Sequence, residues 1–165
     1  MMHKAKRPEI ARFLIILSLM AVLVVSSGCT EDPDNNEDEK VTVNLGMPEL
    51  APRNTGTAQV HDATLTVNII TPRDTKAAWT DFEVLIKDSM GSLLLAATPL
   101  QEDTGAYGDT VEVWYKDTTG KRNVMDAGDS IIISGMDAAT YEGAHVTVNY
   151  KDFIAATTIM PTDFP

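Results

Sequence analysis

The chain predicts an all-β fold: an antiparallel, immunoglobulin-like β-sandwich of about seven to eight strands over residues 41–165. Three observations carry that prediction. From Val41 onward, short stretches alternate apolar and polar residues, the period of strands with one buried face. Clusters of Gly, Pro, Asn and Asp separate them, and these are the residues that tight turns require. No segment of twelve or more residues keeps a helical period.

Residues 41–44 open the series. Leu65, Val67 and Ile69 alternate with Thr64, Thr66 and Asn68. Phe82, Val84 and Ile86 repeat the pattern against Glu83 and Lys87. Residues 93–97 form an apolar run behind an Asp88-Ser89-Met90-Gly91 turn, which predicts a hairpin. Val111, Val113 and Tyr115 alternate with Glu112 and Lys116. Ile131, Ile132 and Ile133 in succession predict a strand buried on both faces. Residues 136–141 offer one helical turn at most. Val146, Val148 and Tyr150 alternate with His145, Thr147 and Asn149, and a Lys151-Asp152 turn leads into residues 154–159. The one cysteine, Cys29, has no partner in the chain. The sandwich therefore has no internal disulfide and no Cys…Trp…Cys pattern, and its stability rests on core burial.

Residues 1–28 read as an export signal. Lys4, Lys6, Arg7 and Arg12 form a basic start, offset only by Glu9. Residues 13–25 are apolar except for Ser18, and Ser26, Ser27 and Gly28 follow. An apolar run of this length suits a signal core, whereas a membrane span needs about 20 residues. No Arg-Arg pair is present, which favours general secretion. Val25-Ser26-Ser27-Gly28-Cys29 resembles the lipobox of the lipoprotein signal family, although that family usually has an aliphatic residue where Ser26 stands. The resemblance implies that Cys29 is lipidated and becomes the first residue of the mature protein. Plain cleavage and an uncleaved anchor are the alternatives. Two acyl chains would hold the protein durably to a membrane, at about 0.8 kcal/mol for each buried methylene.

The leader holds four of the 13 basic residues and one of the 24 acidic ones, which leaves nine against 23 and a net charge of −14. Such a surface repels nucleic acid. Residues 30–40, TEDPDNNEDEK, contain six carboxylates, one lysine and no apolar side chain. They read, with Cys29, as a solvated tether. Glu31, Asp32, Asp34, Glu37 and Asp38 lack the glycine and spacing of a calcium-binding loop.

Asp117, Asp126 and Asp129, with Gly120 and Gly128, could offer oxygen ligands to Ca²⁺. Turn chemistry explains the same residues more simply, and Glu102, Asp103 and Asp109 read the same way. His61 and His145 could contribute to a zinc site only if the fold brought them together; solvated strand positions are the simpler reading. No G-x-S-x-G elbow is present and no spacing singles out a carboxylate pair, so the expectation is a protein without enzymatic activity. Trp114 and Leu85 fall on the outer parity of their strands. They predict a surface for a glycan or protein partner, unless a loop or the chain's own end, Phe164 included, covers Trp114.

Residues 113–150 contain Asp117-Thr118-Thr119-Gly120, then Asp126-Ala127-Gly128-Asp129-Ser130-Ile131-Ile132-Ile133, then Gly143 and a closing hairpin. This stretch, about a quarter of the chain, loosely resembles the C-terminal β-module of archaeal type IV pilin-like and related surface proteins. The resemblance implies a surface β-domain. The function expected is a membrane-anchored extracytoplasmic lipoprotein displaying a β-sandwich for binding or structure. A subunit of a surface filament or secreted assembly is the alternative, and a metal-dependent enzyme a more distant one.

Overall fold

One thirteen-residue strand organises the larger of two sheets. In the computed structural model, residues 40–73 and 75–165 are described. The leader, Cys29 and the acidic segment lie outside the described residues. β1 (Thr42–Leu45) and β2 (Glu49–Asn54) pair end to end along β3 (Gln59–Thr71). Thr42 faces Thr71 and Glu49 faces Thr64, so after a shift at Leu45 and the break, β2 resumes the register of residues 42–44. The two strands are therefore one hairpin arm interrupted at Gly46-Met47-Pro48. The Gly46 N–H bridges the gap to the Thr66 carbonyl at 2.8 Å.

After a short 3-10 turn (Trp79–Asp81) come β4 (Phe82–Lys87) and β5 (Leu93–Pro99), then β6 (Gln101–Glu102) and β7 (Glu112–Lys116). β8 (Ser130–Met136), the single-turn helix α1 (Ala138–Tyr141), β9 (His145–Tyr150) and β10 (Phe153–Ile159) complete the fold. Sheet one runs β1-β3-β8-β7-β6, with β2 also on β3; sheet two runs β10-β9-β4-β5. The chain passes from sheet two to sheet one between β5 and β6, and Leu100 is buried at the crossing.

Ten strands thus stand where about eight were expected, because the first arm and the β5–β6 crossing are each divided. Two facing sheets of strands make the expected all-β sandwich.

The core lies between the sheets. Leu65 and Val67 of β3, Val113 and Tyr115 of β7, and Ile131 and Ile133 of β8 face Phe82, Val84 and Ile86 of β4 and Val146 and Val148 of β9. Burying each large aliphatic or aromatic side chain contributes about 1.5–3 kcal/mol, which makes a disulfide unnecessary. β8 is buried along its whole length, as three successive isoleucines predict. Its outer side is covered by residues 103–111, which cross over sheet one. At Gly135 the approach is so close that an added Cβ would stand 2.1 Å from the Thr110 carbonyl oxygen.

Gly135 has φ +75 and Gly120 has φ +77, but nothing lies within 4 Å of a Cβ built on Gly120. Gly120→Ala is expected to cost about 1 kcal/mol from backbone strain alone. Gly135→Ala adds a collision with backbone and is expected to cost about 2–4 kcal/mol. Urea unfolding of the two variants measures the difference, and equal losses would contradict the close crossing.

Candidate functional site

The connection from β7 to β8 is long, polar and rich in turn residues, yet one carboxylate holds it in shape. Asp129 is fully buried. Its Oδ1 accepts from the backbone N–H of Thr118 at 3.0 Å and of Thr119 at 3.3 Å. Its Oδ2 accepts from the Asp126 N–H at 2.8 Å and from the Tyr115 hydroxyl at 2.6 Å. A buried carboxylate is tolerated only when its lone pairs are satisfied, and here both ends of the connection satisfy them. The backbone of the same turn is tied to β3 by Val67 N–H to Asp129 O and Gly128 N–H to Val67 O.

Around Asp129 the other aspartates close local turns. Asp117 Oδ1 accepts from the N–H groups of Thr119 at 3.0 Å and Gly120 at 2.6 Å. Asp126 pairs with Lys121; that partner lowers the Asp126 carboxyl's affinity for its proton and raises that of the Lys121 ammonium. The Thr118 hydroxyl donates to the Gly128 carbonyl. Asp117, Asp126 and Asp129 are thus engaged in building the connection. Among the described residues no group of three or more His, Cys, Asp or Glu is arranged to hold a metal ion.

Tyr115 carries this order to the surface. Burial, then the hydrogen bond to Asp129, pushes its phenol well above the usual tyrosine range, so the hydroxyl stays a donor. The Trp79 ring stacks on Tyr115, with centroids 5.2 Å apart and planes 10° from parallel. The Trp79 N–H reaches the Asn123 carbonyl at 3.4 Å, and Met125 N–H donates to Ala77 O at 2.9 Å. These bonds fasten the segment before β4 to the β7–β8 connection.

A cleft of about 470 Å³ opens beside this pair. Trp79 and Tyr115 form its aromatic part. Glu102, Asp103 and Asp117 supply acceptors, and Lys116, Arg122 and Asn123 supply donors. Asp103 is partly committed, because its Oδ1 accepts from Gly105 N–H and from the Tyr107 hydroxyl, both at 2.8 Å. An aromatic wall beside mixed donors and acceptors can stack a flat or ring-shaped ligand and hydrogen-bond its hydroxyls.

Trp114 is on the outer parity, as its strand predicts, but it is only 8% exposed. The correction has a clear cause. Residues 103–111 lie over it, with Tyr107 against its ring at 5.7 Å. Its indole N–H donates to Ser134 Oγ at 3.0 Å. The covering loop is held by Arg53, which donates to the carbonyls of Tyr107 at 3.1 Å and Gly108 at 2.7 Å. Arg53 also grips Asp62 through two bonds of 2.8 and 3.0 Å. Asp62 in turn accepts the Gly135 N–H at 3.0 Å. Burial, then the hydrogen bond to Asp103, pushes the Tyr107 phenol up to about 12.

Leu85 is half-buried on the outer face of sheet two. It and Trp114 lie on opposite faces of the sandwich and cannot form one surface. His61 is inside β3 and buried, not a solvated strand position; its Nε2 is 2.8 Å from the Pro165 carbonyl oxygen. Phe164 meets the His61 ring edge-on at 5.0 Å and does not cover Trp114. His145 is exposed on β9 of the other sheet. Glu102 borders the cleft with Asp103, while Asp109 is 3.5 Å from the Thr57 hydroxyl. The sequence signal for Trp79 is slight: it is a lone tryptophan just ahead of a strand, in a stretch with no strand period.

Asp129→Asn replaces an acceptor-only group with one that places an N–H among donors. It is expected to cost about 2–4 kcal/mol, against less than about 1 kcal/mol for Asp117→Asn, whose amide oxygen can still accept. Urea denaturation of both variants checks the ordering; an Asp129→Asn as stable as Asp117→Asn would refute the central role of Asp129. No protein-family model, curated protein or solved structure matches the chain.

Proposed function

We propose that this protein is exported, lipidated at Cys29 and displayed outside the cytoplasmic membrane as a binding module. The observation that supports this reading is a junction. The leader ends at the only cysteine, eleven polar residues follow, and Val41 is already buried in the core. The acidic segment therefore has the composition and position of a tether, with the folded unit Lys40–Pro165 beginning where it ends.

The cleft beside Trp79 is the binding site in this reading. A stacked aromatic pair next to carboxylates, an amide and two cations suits a polyhydroxylated ring, such as a sugar unit of an envelope glycan. A second reading, a subunit of a surface assembly, draws on β5. This seven-residue strand closes one edge of sheet two and contains no charged residue, and such edges pair readily with another chain.

Metabolic labelling with a radioactive fatty acid tests the anchor. The wild type is expected to carry label and Cys29→Ala to carry none; label retained in the mutant would remove the lipid reading. Binding is read from tryptophan fluorescence against a panel of glycans. Trp114 is buried, so a ligand-dependent change is expected to come from Trp79 and to persist in Trp114→Phe. Arg122→Ala is expected to weaken binding by about tenfold, the loss of one charge-assisted hydrogen bond. A response carried by Trp114, or one unaffected by Arg122→Ala, would displace the site from the cleft.

A further inference from the structure

Sheet one and sheet two differ in what covers them. Residues 103–111 lie on the outer face of sheet one, whereas the outer face of sheet two is open. Cross-strand register arranges that open face in three rows. Ile159, His145, Lys87 and Leu93 form one; Ile154, Asn149, Glu83 and Pro99 form another; Thr157, Thr147 and Leu85 lie between them. Asn149 Nδ2 donates to Glu83 Oε1 at 3.3 Å, so these side chains do share a side. Ile154, Leu93 and Ile159 are 59%, 57% and 54% exposed.

The rows are related by reversal. Leu85 is central, and Glu83 and Lys87 lie on either side of it along β4, about 14 Å apart. That separation is too great for them to pair with each other, and the described ion pairs include neither. A two-fold axis lying in the plane of the face, across the strands, brings a second copy into antiparallel contact. Each Glu83 then meets Lys87 of the other copy, Ile154 meets Ile159, Leu93 meets Pro99, His145 meets Asn149, and Leu85 meets Leu85. No like charges oppose each other. With one Glu and one Lys the face has no net charge, although the chain carries −11. Like-charged copies can therefore approach through it at less cost than through an acidic surface.

We infer that the outer face of sheet two is a self-complementary interface, through which two copies of this chain form a closed two-fold dimer. The footprint is roughly 300 Å² for each copy, from strand spacing and rise, below the area that a stable dimer needs. The dimer is accordingly weak and concentration-dependent. It uses a different face from the cleft and does not depend on the proposed ligand or anchor.

Thiol cross-linking in the full chain tests it. Facing sheets lie about 10 Å apart, too far for a direct disulfide, so Leu85→Cys, opposite its own symmetry mate, is expected to yield a covalent dimer with a short bismaleimide. The unmodified chain, with Cys29 as its only thiol, and Asn68→Cys on the opposite face set the background. Within Leu85→Cys, either Glu83→Lys or Lys87→Glu is expected to lower the trapped fraction by at least about fivefold through like-charge opposition. The double reversal is expected to restore it to within about twofold, because the pairs are re-formed with their signs exchanged. Circular dichroism confirms that each variant is folded. Trapping no greater than in Asn68→Cys, single reversals without effect, or failure of the folded double reversal to recover would each overturn the interface.

Discussion

The buried carboxylate of Asp129 is the interaction on which the functional end of the molecule depends. The β7–β8 connection is too polar to hold itself by hydrophobic burial, and its backbone N–H groups would otherwise need water or backbone carbonyls as acceptors. One acceptor-only group gathers three of them and a phenol, turning a flexible segment into a fixed wall. A neutral amide could not do the same, because half of its polar atoms donate. Tyr115 is then locked by its hydroxyl, its ring is fixed in the core, and Trp79 has a defined surface to stack upon. The cleft is thus a consequence of satisfying one buried charge, several residues away from the groups that line it.

A second, half-buried polar link separates the two outer faces. Arg53 bridges Asp62 to two backbone carbonyls of residues 103–111, and its planar fork lets one side chain hold both partners. Asp62 first raises the guanidinium's affinity for its proton, by hydrogen bonding, so the charge is secure. With that loop in place, sheet one buries Trp114, Ile132 and Ser134 on what would otherwise be its solvent side. Sheet two has no such cover. In the single chain its outer face stays wet because apolar side chains are separated by threonine, asparagine and charge, which limits the contiguous apolar patch. The two faces are therefore specialised by the presence of a single strap, and the strap depends on one ion pair.

What the sequence made legible follows closely from the range of the interaction involved. Strand periodicity is local, so Phe82, Val84, Ile86, Val146 and Val148 were readable as core, and the isoleucine run of β8 as doubly buried. Turn chemistry is also local, and Asp117 behaves as its Asx signature implies. β2 was not legible, because Pro52 and Arg53 interrupt its pattern. It persists because it is an edge strand, where a proline's missing N–H can face away from β3.

Trp114 and Trp79 show where local reading stops. Parity placed Trp114 on the outer face correctly, but exposure is decided by residues 103–111, anchored by an arginine some fifty positions earlier. Nothing near Trp114 encodes that arginine. Trp79 is the converse case: it belongs to no strand, so no periodicity points to it, and its role arises from a stack with Tyr115 thirty-six positions later in the chain. Asp129 was visible as an acidic turn residue, yet its neighbours in sequence suit a metal loop as well as a hydrogen-bond hub. Only the donors that converge on it decide between them, and two of those come from Tyr115 and Thr118, on the far side of the connection. Covering contacts and shared acceptors are properties of chain crossing, and a periodic pattern carries no information about which segments cross.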